Sequence, residues 1–208
     1  APQQAAQLAP FAAAARAAFT RALELNPDYL IAAQNLTRLD LAEGKGEAAV
    51  ERLRALAERN PRSVEAQLSY ADVQRATRAA PAAVLATLER ATVASPGNVP
   101  LSLAIVHHRL AQREFPQALA AAQRIEAANP NDPRTVEALA RAQLASGDRQ
   151  QAISSFNRLV TLRPQVQWLG TPEDLMEEFY AISVERRITH PAVAAITAAA
   201  RGKLFAAR

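Results

Sequence analysis

The chain has 208 residues, 50% of them apolar but only 5% aromatic, and a formal charge of +4. Of its 24 cationic residues two are Lys (Lys45 and Lys203) and the rest Arg, interleaved with Asp and Glu and never gathered into a run, the pattern of a solvated helical surface rather than a nucleic-acid face. The absence of Cys excludes disulfide frameworks, thiol nucleophiles and zinc-finger spacing, and no apolar run approaches the ~20 residues that cross a bilayer as a helix.

Alanine, the strongest helix former, dominates and strand formers are thinly spread, so the chain is expected to be all-α. Ala1-Pro2-Gln3-Gln4 lacks the charged and apolar regions of a signal peptide, which suits a mature or excised segment. Helices are predicted at 9–25, 30–42, 47–59, 63–77, 82–94, 99–112, 116–128, 133–145 and 149–162. Pro27, Pro61, Pro96, Pro130 and Pro164, spaced by 34, 35, 34 and 34 residues, each close a second helix. Proline has no N–H to donate and holds the residue before it out of the helical region. The longer interval places one surplus residue near Arg78 to Pro81.

This period divides the chain into a half repeat at 9–29, repeats at 30–63, 64–98, 99–132 and 133–165, and a non-repeat tail at 166–208. A solenoid repeat buries its face only against neighbours, so a chain starting on half a repeat is expected to be cut from a longer array. Small residues such as Ala49, Ala118 and Ala152 allow close helix approach, while Leu53, Leu88 and Phe156 fill the space toward the next repeat.

Ala15 and Phe19, then Ala22 and Leu23-Glu24-Leu25-Asn26-Pro27, recur as Ala152, Phe156 and Arg163-Pro164, with Gly44 and Gly147 at the inter-helix turns. Over residues 9–164 this resembles the tetratricopeptide repeat, and the resemblance implies an all-α solenoid, a right-handed superhelix of helix pairs. Thr37 and Val106 depart from the family pattern where it favours a small residue, as do Gln67, Ser102 and Val136 where it favours Trp.

The resemblance also implies that the first helix of each pair lines a concave groove for a peptide or protein segment. By helical register that groove takes Gln34, Arg38 and Leu41; Leu68, Asp72 and Arg75; Leu103, His107 and Leu110; and Arg134, Glu137, Arg141 and Leu144. Guanidinium, carboxylate and leucine groups together suit charge-assisted bonds at some points and apolar contact at others. The family's clamp for the C-terminal carboxylate of heat-shock proteins is not expected: Asn35 fits its middle position, but Glu65 and Ser69 stand where the third helix should supply cations.

No catalytic residue, cofactor site or metal site is expected. His107 and His108 are about 100° apart on a helix and cannot face one metal together, His190 precedes Pro191 as a helix-start residue, and no phosphate loop or nucleophile elbow occurs.

The tail breaks the pattern at Val166-Gln167-Trp168-Leu169-Gly170. Thr171-Pro172-Glu173-Asp174 is a helix start, with Thr as N-cap, Pro in the first turn and acids against the positive end of the dipole, and His190-Pro191 is another. Between them Tyr180, Ile182 and Val184 share one face if the stretch is extended, so Phe179 to Ile188 reads as helix or strand. Glu178 to Phe205 is similar to the end of the effector domain of LysR-type regulators, which implies a strand at Tyr180 to Ile188 and a last helix. A mainly helical tail would cap the last repeat, fill a groove, or mediate self-association.

The expected function is a non-catalytic protein-binding scaffold. The Ala- and Arg-rich repeats are similar to bacterial tetratricopeptide lipoproteins encoded with exopolysaccharide and PEP-CTERM sorting systems, which implies a periplasmic or cell-envelope location and a partner in export or assembly; a cytoplasmic location is also compatible with the composition. The alternative is a regulatory module that binds an effector or a transcription factor, with a pocket near Trp168 and Tyr180.

Overall fold

A computed structural model describes residues 2–163, 166–167 and 183–184. The chain divides into two compact units, Ala1–Ala128 and Asn129–Arg208. The first holds α1 (Pro2–Leu25), α2 (Leu30–Ala42), α3 (Gly46–Arg59), α4 (Val64–Ala76), α5 (Pro81–Ala94), α6 (Val99–Ala111) and α7 (Phe115–Ala128). The second holds α8 (Pro133–Ala145) and α9 (Arg149–Leu162). Within the second, β1 (Val166–Gln167) pairs antiparallel with β2 (Ser183–Val184), Val166 opposite Val184. The predicted tail helices from Thr171-Pro172 and His190-Pro191, the rest of Tyr180 to Ile188 and the setting of Trp168 lie outside the described residues.

The prolines act as expected. Helices α3, α5 and α9 end two residues before Pro61, Pro96 and Pro164. The residue between is drawn toward extended backbone: φ −123° at Asn60, −135° at Ser95 and −128° at Arg163. The first helices start on side-chain caps where the sequence provides one. Ser63, Asn98 and Asp132 accept from the backbone N–H groups of Ala66, Leu101 and Arg134, and Asp148 caps α9 through Gln151.

Each turn between the helices of a pair ends in the same way. The residue 17 places after Pro27, Pro61, Pro96 and Pro130 is left-handed: Gly44 (φ 75°), Arg78 (58°), Arg113 (60°) and Gly147 (87°). The following N–H reaches back to the helix, from Lys45 to the Asp40 carbonyl (2.7 Å), Ala79 to Gln74 (2.8 Å), Glu114 to Arg109 (2.9 Å) and Asp148 to Gln143 (2.9 Å), which satisfies a carbonyl the helix leaves open. After Arg78 the next helix starts three residues later, at Pro81, where the other three pairs take two; this is the surplus residue of the 35-residue interval.

Alanine sets the helix spacing. Ala49, Ala118 and Ala152 are fully buried, Leu53 and Leu88 are buried beside them, and Phe156 is half-buried. In the first unit Ala33, Ala49, Leu53, Leu56, Ala66 and Val73 form one apolar cluster across α2, α3 and α4, and Ala71, Val84 and Leu88 form another across α4 and α5. Within the first unit each helix from α1 to α7 packs on the next, and α2 packs with α4 and α4 with α6, so the first helices α2, α4 and α6 form a layer of their own; in the second unit α8 packs on α9.

Candidate functional site

That layer of first helices positions the groove. Helical spacing brings Gln34, Thr37, Arg38 and Leu41 to one side of α2, and Ser69, Asp72, Val73 and Ala76 to the facing side of α4. With Leu53 of α3 showing between them, these residues line a groove of about 340 Å³. Its floor is apolar, from Leu41, Leu53, Val73 and Ala76, and its rim is polar. Gln34 Nε2 donates to Ser69 Oγ at 2.8 Å across the two helices, and Ser69 Oγ donates to the Glu65 carbonyl at 2.7 Å. Asp72 is held by Arg75 on the next turn. Arg38 is exposed and pairs with no carboxylate among the described residues. Thr37, only 5% exposed, has a hydroxyl with no hydrogen-bond partner among them.

Of the thirteen residues placed in a groove by register, Gln34, Arg38, Leu41 and Asp72 come together here. Arg75 joins through its ion pair with Asp72, while Leu68 turns toward the cluster of Ala71, Val84 and Leu88. On α6, Leu103 and Leu110 are half-buried and His107 is exposed, outside this groove. Arg134, Glu137, Arg141 and Leu144 lie on α8 of the second unit. There Arg134 pairs with Asp132 at 2.7 Å, and Glu137 takes both Arg141 at 2.6 Å and Arg163 at 3.4 Å.

Thr37, Leu53, Ser69, Val73 and Ala76 are groove residues the register did not assign. Ser69 and Ala76 stand three before and four after Asp72, so a wider stripe finds them. Leu53 comes from a second helix, which a reading confined to first helices omits.

Two buried titratable groups flank the groove helices. Asp40, at the end of α2, is 1% exposed. Arg16 Nη1 donates to its Oδ1 at 2.7 Å, and Arg52 Nη1 lies 2.5 Å from Oδ2 as an ion pair off hydrogen-bond alignment. Burial pushes this carboxyl up, and the Arg16 hydrogen bond together with the close Arg16 and Arg52 charges outweighs that and holds it below its ordinary value. Arg16 also reaches Glu43 at 2.9 Å, which ties α1 to the last turn and C-cap of α2, and Lys45 pairs with the same Glu43 at 2.7 Å. His108 on α6 is buried, unlike its neighbour His107. Desolvation, then the nearby Arg75 charge, lowers its pKa, with Glu114 and the Pro81 carbonyl opposing.

Among the described residues no group of His, Cys, Asp or Glu is arranged to hold a metal ion, and no helix is long and apolar enough to cross a membrane. The arrangement offers a narrow apolar trough with a hydrogen-bonding rim and a cation, which can hold side chains of another polypeptide.

The comparisons agree with this architecture. The family model described as tetratricopeptide repeat matches residues 35–99 and 103–166. No curated protein matches the chain. Among solved structures it is similar to a thermophilic TPR protein of Thermus thermophilus (24% identity, 78% of this chain and 90% of that one, TM-score 0.57). It is also similar to PilW, a widely conserved type IV pilus biogenesis factor (23% identity, 79% and 77%, TM-score 0.57). YrrB, a TPR protein with an unusual peptide-binding site, follows at 21% identity, 71% and 76% coverage, and a TM-score of 0.50. At these identities the likeness is one of fold.

Proposed function

Because the chain belongs to the tetratricopeptide repeat family, whose members bind peptide or protein partners and are generally non-catalytic scaffolds, we propose that it binds a segment of a partner protein in the groove between α2 and α4. The observation that carries this is the apolar floor of Leu41, Leu53, Val73 and Ala76 under a polar rim of Gln34, Ser69 and Arg38. Peptide recognition needs both: apolar contact for affinity, and fixed polar groups for orientation. Among the structures of similar fold, YrrB carries a peptide-binding site, which supports the same use here.

The test is selection of short displayed peptides on the whole chain, followed by the triple variant Gln34→Ala, Arg38→Ala, Asp72→Ala. The expected outcome is that selected peptides lose binding while the helical signal and melting temperature stay within error. Retained binding by the triple variant would place the partner surface elsewhere.

The proposal extends to the cell envelope, where the partner is an export or exopolysaccharide-assembly component. The resemblance of the Ala- and Arg-rich repeats to envelope lipoproteins supports it, as does the shared fold with a pilus biogenesis factor. Fractionation of cells expressing the protein tests it, and recovery in the cytoplasm alone would reject it. A second reading, as a LysR-like regulatory module, draws on the antiparallel pairing of Val166–Gln167 with Ser183–Val184. It requires a small effector to raise the melting temperature of the chain.

A further inference from the structure

We propose that the groove between α2 and α4 selects a partner segment presenting a side-chain carboxylate next to an aliphatic side chain, with Arg38 taking the carboxylate. The inference rests on the reading of this groove as a peptide site and specifies the ligand.

The repeat itself isolates Arg38. The position eleven residues after Pro27, Pro61, Pro96 and Pro130 holds Arg38, Asp72, His107 and Arg141 in turn. Asp72 is tied to Arg75 and Arg141 to Glu137, each on its own helix. Arg38 pairs with no carboxylate among the described residues, and its helix offers none at the neighbouring turn: the positions three and four on either side are Gln34, Asn35, Leu41 and Ala42. Asp40, the nearest acid in the chain, is consumed by Arg16 and Arg52. Since Asp72 and Arg75 cancel, the groove carries one uncompensated positive charge on its rim, directly above apolar floor. Arg38 is exposed on that rim, so a carboxylate is held there by the charge-assisted, two-point contact the guanidinium fork offers rather than by desolvation.

The floor indicates what stands beside the carboxylate. Leu41, Leu53, Val73 and Ala76 present only aliphatic surface, and a volume of 340 Å³ lies near the low end of the roughly 300–1,000 Å³ of ligand pockets. It accommodates a few side chains of an extended or helical segment and not a folded surface. The buried Thr37 hydroxyl adds an unused hydrogen-bonding group at the floor, where the other repeats place Ala71, Val106 and Ala140. A hydroxyl buried without a partner is unfavourable in the free protein. A change of rotamer that turns this hydroxyl to the groove would let a backbone N–H or C=O of the bound segment pair with it.

The experiment is an amide chemical-shift titration of the whole chain with acetyl-Leu-Glu-Leu-amide and its Gln and Lys counterparts. The Glu peptide is expected to shift Thr37, Arg38, Leu41 and Ser69 saturably and to bind about threefold to fivefold more tightly than the Gln peptide, the upper range for an exposed ion pair. The Lys peptide is expected to bind more weakly still. Arg38→Gln removes the difference between Glu and Gln peptides, and Thr37→Val, which should melt no lower than the parent, weakens both peptides by the same factor. Equal binding of all three peptides in this groove would overturn carboxylate selection and leave the peptide site standing. Saturable shifts confined to other helices would overturn the location of the ligand and leave partner binding standing. No shift with any peptide would overturn both.

Discussion

The repeat at 30–63 and the repeat at 133–165 bury a polar side chain at the same place and treat it in opposite ways. Thirteen residues after its proline the first has Asp40 and the second Gln143, 1% and 5% exposed respectively. Asp40 is an ion held between Arg16 of α1 and Arg52 of α3. Gln143 is a neutral amide, whose Oε1 accepts from Ser155 at 2.7 Å and whose Nε2 donates to Gln151 at 3.2 Å, both on α9. The intervening repeats show the position is not easily satisfied: Gln74 is buried with an unpartnered Oε1, and Arg109 reaches Glu89 and Glu114 at 3.4 and 3.3 Å while its Nε has no partner. The last turn of each first helix is a polar slot in the interior, so its solution fixes how each repeat responds to mutation and acid.

Truncation of the two residues should give the largest contrast. Asp40→Ala leaves Arg52 without its carboxylate and Arg16 with Glu43 alone, and since both guanidinium groups keep partial access to solvent the loss is expected near the lower end of the about 3–5 kcal/mol for removing one partner of a buried ion pair. Gln143→Ala strands only a hydroxyl and an amide, for about 1–2 kcal/mol. Denaturant titrations of each variant, with hydrogen exchange to assign the loss to α1–α3 or to α8–α9, check this. Equal losses would show that Asp40 is not the organising charge of its repeat.

Acid separates the same regions with the sequence intact. The Asp40 carboxyl is lowered in the folded chain, so its contribution is complete above the ordinary value of 3.8 and is lost as pH falls below that toward the folded value. His108 also has a lowered pKa, and the sign is the same in a higher window: the unfolded chain takes up a proton at 6.5 before the folded one does, so stability declines as pH falls from about 6.5. Among the described residues of the second unit, the shifted groups are Asp132 and its partner Arg134 at the exposed start of α8. Hydrogen exchange at stepped pH should therefore show protection lost around α6 first and around α1–α3 below pH 3.8, with α8–α9 changing least. His108→Leu should remove the first step, and a profile that loses α8–α9 first would contradict the assignment.

Helix boundaries were legible because proline is a physical stop that needs no tertiary context, and nine predicted helices match the observed ones within a residue or two except α1, which begins at Pro2 rather than residue 9. The groove was partly legible, since register places Gln34, Arg38, Leu41 and Asp72 on one face. Leu53 was not, because it belongs to a second helix and enters only through tertiary packing. Asp40 gave no signal, for its burial depends on Arg16 and Arg52, 24 and 12 positions away. The turns divide likewise: Gly44 and Gly147 announce a left-handed residue, while Arg78 and Arg113 occupy the same conformation unannounced.

That last division gives the smallest predicted effect. A residue with a β-carbon in the left-handed region carries about 1–2 kcal/mol of steric cost, which glycine avoids. Arg78→Gly and Arg113→Gly should each therefore stabilise the first unit, but glycine also gains freedom in the unfolded chain, which returns about 0.5–1 kcal/mol. A net gain of about 0.5 kcal/mol per site is expected, near the limit of a denaturant titration, and the double variant should show it clearly. Gly147→Ala runs the other way in the second unit: the added β-carbon meets no atom within 4 Å, so its effect is backbone strain alone, about 1 kcal/mol. If Arg78→Gly and Arg113→Gly destabilise instead, the arginine side chains hold interactions that outweigh the strain of their turns, and the cations on that edge of the repeats acquire a structural role that glycine at the equivalent positions cannot have.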